Sequence, residues 1–227
     1  MAIRWRCSVK EQLLQSDYTW GRQAVLRCQA RYPQLEAGEL PGFERALSQY
    51  YAAYARDKIS GLARSWYPAA CAACRRAAPY GGFSPLEAQC EYTIMYNRGG
   101  YYSAFFDTYV RQEGRDLASG RQSGVFWTGA GRMVPLSALF RSGYPYRQVI
   151  LRCVQEETAR QAGRDPGAFY VDWPMLVGKG LDERNYYLAD DGLVVYYPRR
   201  ALGPSSTGLP SFLIPYAAFG SGLKPEL

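Results

Sequence analysis

Histidine is missing altogether from the 227 residues. That absence removes Ser-His-Asp and Cys-His catalysis, His-ligated zinc and the usual general base near neutral pH. Lysine is scarce too: only Lys10, Lys58, Lys179 and Lys224 occur, so the net charge of +7 rests on arginine. The arginines are scattered, and Arg75-Arg76 and Arg199-Arg200 are the densest pairs. Such dispersal argues against a nucleic-acid partner, which selects for a basic stripe. No run approaches the roughly 20 apolar residues that a membrane helix needs. The opening segment carries Arg4, Arg6 and Lys10 where an export signal would have its apolar stretch. The expectation is a cytoplasmic protein if this is the full native chain, and an extracytoplasmic one if it is a fragment of an anchored protein.

What is present is ordinary for a chain that buries a core: 48% apolar and 21% charged residues. The six cysteines are Cys7, Cys28, Cys71, Cys74, Cys90 and Cys153, and a chain of this size does not need disulfide staples. Cys71-Ala-Ala-Cys74 has redox or metal spacing. A Cys-only zinc site needs a second close pair, however, and none exists. A redox pair belongs at a helix N-terminus after a strand, whereas this one lies in an Ala-rich stretch behind Pro68. We read both sulfurs as small apolar residues on one helical face. No metal site and no cofactor is expected.

Ile3, Trp5, Cys7 and Val9 alternate with polar residues, the two-residue period of a half-buried strand, and Val25–Arg31 suggests a second. After a turn at Gly38–Gly42, an amphipathic helix is predicted from about Phe43 to Trp66. Its stripe is Phe43, Leu47, Tyr50, Tyr51, Tyr54, Ile59, Leu62 and Trp66. Pro68 breaks or kinks it, with Ala69–Ala78 a continuation. Gln89–Asn97 and Tyr101–Val110 flank Arg98-Gly99-Gly100 as a hairpin. Gly114–Gly124 reads as loop, Val125–Trp127 as strand and Ser137–Phe140 as a short helix. Ser142 is placed to cap a second helix over Tyr144–Ala162. Asn185–Tyr197 is the most informative stretch. Asp191-Gly192 between aromatic and β-branched runs signals a type I′ turn, which pairs Asp190 with Leu193, Leu188 with Val195 and Tyr186 with Tyr197. A Gly/Pro/Ser loop, a strand at Ser211–Ile214 and a helical turn at Tyr216–Phe219 complete the chain.

Tyr186-Tyr-Leu-Ala-Asp-Asp-Gly-Leu-Val-Val-Tyr-Tyr197, the loop, and Gly208-Leu-Pro-Ser-Phe-Leu-Ile-Pro-Tyr216 resemble the C-terminal signature of RsiV-type sensor domains. These bacterial domains of unknown function occur in the outer part of lysozyme-binding anti-sigma factors and beside some peptidoglycan deacetylases. Tyr32-Pro-Gln-Leu35 before the long helix, and Phe126-Trp-Thr-Gly129 through Phe140, are similar to further segments of that family. The chain departs from the family in two places. No Gly-Gly-Ala-His segment precedes the strand, the corresponding region being Glu113–Ser119, and Trp127 stands where members carry Asp. The resemblance implies an α+β fold, with a long N-terminal helix and a second helix packed on a mainly antiparallel sheet and a C-terminal β-hairpin. The expected organisation is an N-terminal strand-helix-hairpin half, 1–119, and a C-terminal sensor-type half, 120–227, packed as one unit.

Three functional readings are open. The first is a non-catalytic binding or sensor-type module recognising a protein or a cell-wall-like glycan, which suits 20 tyrosines and five tryptophans. Its candidate contact residues are Tyr197, Arg199, Arg200, Pro204, Ser205 and Ser206, on a loop beside the hairpin. The alternative is a carboxylate-based hydrolase acting on a glycan or ester through Asp190 and Asp191, with Asp107 or Asp172. Adjacent Asp190 and Asp191 should point to opposite sides of the hairpin, which argues against it. The third, a redox or metal protein through Cys71 and Cys74, has only their spacing behind it.

Overall fold

The structure, a computed structural model, describes residues 6–79 and 81–224. The chain divides into two compact units, one comprising Cys7–Thr93 and Phe106–Arg121, the other Ile94–Phe105 and the chain from Gln122 on.

In the first unit, β1 (Val9–Trp20) and β2 (Gln23–Leu35) form a long antiparallel hairpin, with Gly21 at φ +60° in its turn. The predicted first strand, Ile3–Val9, overlaps β1 only at Val9. Cys7 is buried just ahead of it, and Ile3 and Trp5 lie outside the described residues. Helix α1 (Pro41–Ala77) packs against β2 and carries the chain across to β3 (Leu86–Arg98), which pairs parallel to β2 from Leu26↔Leu86 to Ala30↔Cys90.

The helix runs unbroken through Pro68. Pro68 and Arg64, whose carbonyl loses its i+4 donor there, are both exposed, so water can replace the missing bond. The buried stripe is Leu47, Tyr51, Ala55, Ile59, Ala63, Ala70, Cys71 and Cys74. The predicted stripe over-weighted aromatics: Tyr50 is exposed, and alanines make the close contact instead. Cys71 and Cys74 do share the inner face, as free thiols.

Strands β4 (Tyr101–Gln112) and β5 (Arg115–Trp127) come after β3, and β6 (Arg132–Met133) completes a hydrogen-bonded order running β1 to β6. The stretch predicted as loop, Gly114–Gly124, is therefore mostly strand. Its N-terminal half buries nothing, so it shows no apolar alternation to read. Both two-residue connections, Gly99-Gly100 and Glu113-Gly114, have positive φ at both positions, the requirement of a type I′ turn.

The second unit packs α2 (Tyr146–Arg164) and α3 (Trp173–Gly180) with a three-stranded antiparallel sheet, β7 (Tyr186–Ala189), β8 (Gly192–Tyr196) and β9 (Ser211–Pro215). Ile150, Val154, Val177, Leu188, Leu193, Ile214 and Phe219 sit in its core. Ser142 does not cap α2, which starts two residues later than predicted and has no side-chain cap. Pro145 holds Tyr144 out of helical geometry, so the first turn cannot form earlier.

The C-terminal hairpin is present, but its register differs from the predicted one. Ala189 pairs with Gly192, Leu188 with Leu193 and Tyr186 with Val195, so the turn residues are Asp190 and Asp191. None of Asp190, Asp191 or Gly192 has positive φ. Gly192 is glycine for another reason: a Cβ there would stand 2.2 Å from the Ile214 carbonyl oxygen on β9. The outer edge of β7 meets side chains rather than another strand. The Leu188 N–H donates to Ser103 Oγ at 2.9 Å, and the Tyr186 carbonyl accepts from Ser123 Oγ. Two serines thus close an edge that would otherwise template further pairing.

Candidate functional site

The loop between β8 and β9 is stiff despite its Gly/Pro/Ser composition. The Ala201 N–H donates to the Pro198 carbonyl at 3.0 Å, closing a turn around Arg199 and Arg200. Arg200 takes φ +67°, a left-handed conformation that costs an L-residue with a Cβ roughly 1 kcal/mol. Its Nε donates to Ser205 Oγ at 2.6 Å, and Arg199 Nη2 donates to the Ser205 carbonyl at 3.4 Å. Leu202 and Gly203 are buried. The Leu202 carbonyl accepts from the Tyr170 N–H at 2.9 Å, and the Thr207 hydroxyl donates to the Ala168 carbonyl. A Cβ on Gly203 would stand 2.2 Å from that same Ala168 oxygen, so only glycine lets the two loops meet so closely.

Of the predicted contact residues, Arg200 and Ser206 are exposed, and Arg199, Pro204 and Ser205 are half-buried. Tyr197 is different. It is fully buried, its hydroxyl donates to the Val177 carbonyl at 3.1 Å, and its ring meets Phe212 edge-on at 5.8 Å. Burial pushes its phenol far above the usual tyrosine range. Tyr197 therefore anchors the loop from beneath and cannot touch a ligand. Sequence reasoning missed the neighbouring segment, where Tyr170 is 39%, Val171 101% and Met175 51% exposed. The available signal was a run of apolar residues immediately after Asp165-Pro166-Gly167, a turn that brings the next residues to the surface.

Residues 137–217, which include this loop and its neighbour, match the family described as "Protein of unknown function (DUF3298)". That stretch is similar to the DUF3298 family. Two crystal structures of DUF3298 family proteins share the fold. A member from Bacteroides fragilis NCTC 9343 aligns with TM-score 0.64 at 11% identity, covering 98% of this chain and 96% of its own. A member from Pseudomonas aeruginosa PAO1 aligns with TM-score 0.61 at 14% identity, covering 96% of each chain. Among curated proteins no sequence matches this chain.

The carboxylates considered for acid–base chemistry have structural placements. Within the DUF3298 match, Asp190 and Asp191 form the hairpin turn, and Asp190 faces Arg98 at 3.2 Å. Asp172 precedes α3 and is exposed. Outside the match, Asp107 receives both Nε and Nη2 of Arg121 at 2.7 Å in a half-buried bidentate pair, with the Tyr109 hydroxyl donating to it at 3.3 Å. A cleft of about 630 Å³ opens beside the start of α1, and several of its polar groups are engaged within the fold. There, Glu44 accepts from the Gly38 N–H at 2.6 Å, Ser48 accepts from the Leu35 N–H at 2.9 Å, and Lys10 pairs with Glu36 at 2.7 Å. Among the described residues no cluster of three or more His, Cys, Asp or Glu side chains could hold a metal ion, and no helix is long and apolar enough to cross a membrane.

Proposed function

We propose that this chain is a non-catalytic binding or sensor-type module that recognises a protein ligand through Arg199–Ser206 and the adjoining Tyr170–Met175 segment. The observation that carries this reading is Arg200. A position whose backbone favours glycine holds an exposed arginine, in a loop otherwise fixed by hydrogen bonds and a glycine contact. Strain of this kind persists where the side chain is needed. Exposed Tyr170, Val171 and Met175 supply the apolar area that a protein interface uses, and arginine is enriched at such interfaces. The resemblance to RsiV-type sensor domains supports the same reading.

The decisive variant is Arg200→Gly, which removes the side chain and the strain together. Purified protein is immobilised and used to capture partners from an envelope extract. We expect Arg200→Gly to fold with unchanged or slightly higher stability and to lose the captured protein, as should Val171→Asp. Unchanged capture by both variants refutes this surface as the binding site, and no specific capture by the parent protein refutes the protein-ligand reading.

A further inference from the structure

A smaller cavity of about 290 Å³ has a different character from the large cleft. Tyr101, Trp127, Arg132, Met133, Pro135 and Lys224 line it, and among the described residues no carboxylate does. Some cations elsewhere in the chain are neutralised by an acidic side chain. Arg98, Arg111, Arg121, Arg147, Arg160 and Arg184 each hold an acidic partner. Among the described residues Arg132 and Lys224 have none. Their positions are nevertheless set by the backbone. Arg132 lies directly across the β5–β6 pair from Trp127, and the Lys224 N–H donates to the Leu139 carbonyl at 3.0 Å.

The indole is built in with equal care. A Cβ on Gly129 would stand 3.1 Å from Trp127 Cε2 and Cζ2, so a side chain there would push the ring aside. Gly100, at φ +86°, sits beneath it: a Cβ there would lie 3.6 Å from Trp127 Nε1 and 3.7 Å from Thr128 Oγ1. A fixed indole and two cations without an acidic partner therefore line one cavity the size of a single ring.

We infer that this cavity is a subsite for one carboxylate-bearing sugar residue of a glycan. The inference rests on the binding-module reading and extends it from a protein ligand to an acidic carbohydrate. The apolar face of a pyranose stacks on Trp127. The carboxylate lies between Arg132 and Lys224, where charge-assisted hydrogen bonds hold it. An uncharged sugar leaves both cations unused, and an inorganic anion leaves the indole unused. Discrimination against each is the signature of the site.

The test uses the full chain, labelled with nitrogen-15, and follows its tryptophan indole resonances. The Trp127 signal is identified by its loss in Trp127→Phe. The probes are methyl β-D-glucuronide, methyl β-D-glucoside, inorganic phosphate and benzoate. We expect the glucuronide to shift the Trp127 indole saturably, with a dissociation constant on the order of 1 mM for so small a ligand. The glucoside, phosphate and benzoate should bind at least about tenfold more weakly, and Arg132→Gln and Lys224→Gln should each weaken the glucuronide about tenfold. Absence of a Trp127 response, equal binding of the glucoside, or equal binding of phosphate or benzoate each overturns the inference. Should one charge variant fold poorly, the other carries the comparison. If the glucuronide fails while Arg200-dependent capture persists, the subsite alone is wrong; if both fail, the binding-module reading goes with it.

Discussion

Gly192→Ala separates two explanations for one glycine. If Gly192 served a type I′ turn, the requirement would be positive φ, and asparagine, which tolerates that region, would substitute at little cost. In the structure its φ is not positive, and the requirement is space. A Cβ would stand 2.2 Å from the Ile214 carbonyl oxygen, 2.9 Å from its carbon and 3.0 Å from Pro215 Cα. All three are backbone atoms, so no side chain can swing away. Relief requires β9 to move off β8, which disturbs the Gly192↔Pro215 and Leu193↔Ile214 pairings and the core beneath them. Overpacking of this kind costs about 1–3 kcal/mol, and a backbone clash belongs at the upper end. For a chain of this length about 2–3 kcal/mol corresponds to roughly 4–12 °C in Tm. Urea denaturation and thermal melts followed by circular dichroism should show Gly192→Ala and Gly192→Asn losing this much alike. Asp191→Gly, in the turn itself, should stay within roughly 1 kcal/mol of the parent. A tolerated Gly192→Asn beside a damaging Gly192→Ala would mean that backbone conformation decides the position, and would refute the close-approach argument.

Ser103→Ala should expose the edge of β7. Removing the hydroxyl strands the buried Leu188 N–H, costing about 1–3 kcal/mol, and hydrogen exchange at that amide should accelerate; unchanged protection would show the serine to be dispensable. The buried Cys28 thiol gives a pH signature. Burial, with a smaller contribution from Asp17, raises it from an ordinary 9.0 to about 11. A raised pKa in the folded state stabilises fully below the unfolded value and loses that contribution as pH climbs through the folded one. The stability gap between the parent protein and Cys28→Ala should therefore narrow between pH 9 and 11 in urea titrations. A gap that stays constant refutes the assigned burial effect.

Much of the α+β fold is legible in the residues, because strong periodicity and turn chemistry are local. The second strand, the long helix and the C-terminal hairpin announce themselves that way. The failures have physical causes. Half of β5 buries nothing and so carries no alternation. Pro68 falls on the solvent side of α1, where a lost hydrogen bond is cheap to replace with water. The α1 stripe depends on which residues are small enough to approach a sheet, which hydrophobicity does not rank. Composition and neighbourhood point to the candidate loop, but they also put Tyr197 on its surface. The register around Gly192 places that ring inward, and no local signal distinguishes the two.

Glycine is where sequence and structure diverge most, and the divergence bears on function. In a sequence Asp191-Gly192 and Gly203-Pro204 read as turns, which is a statement about φ. At Gly192, Gly203 and Gly129 the structure uses glycine for contact distance instead: against β9, against Ala168 and against the Trp127 ring. Two of these three contacts hold the parts on which the proposed recognition depends, the Arg200 loop and the Trp127 indole. Contact distance is a long-range property, set by a residue as far away as Ala168 is from Gly203, so no motif records it. The positions that do need positive φ point the other way. Glu113 and Gly114 satisfy it in an ordinary hairpin, and Arg200 satisfies it against its own chemistry. A residue kept where glycine fits better, in a loop stiffened by glycines kept for contact, is a stronger pointer to a working surface than any count of aromatic residues.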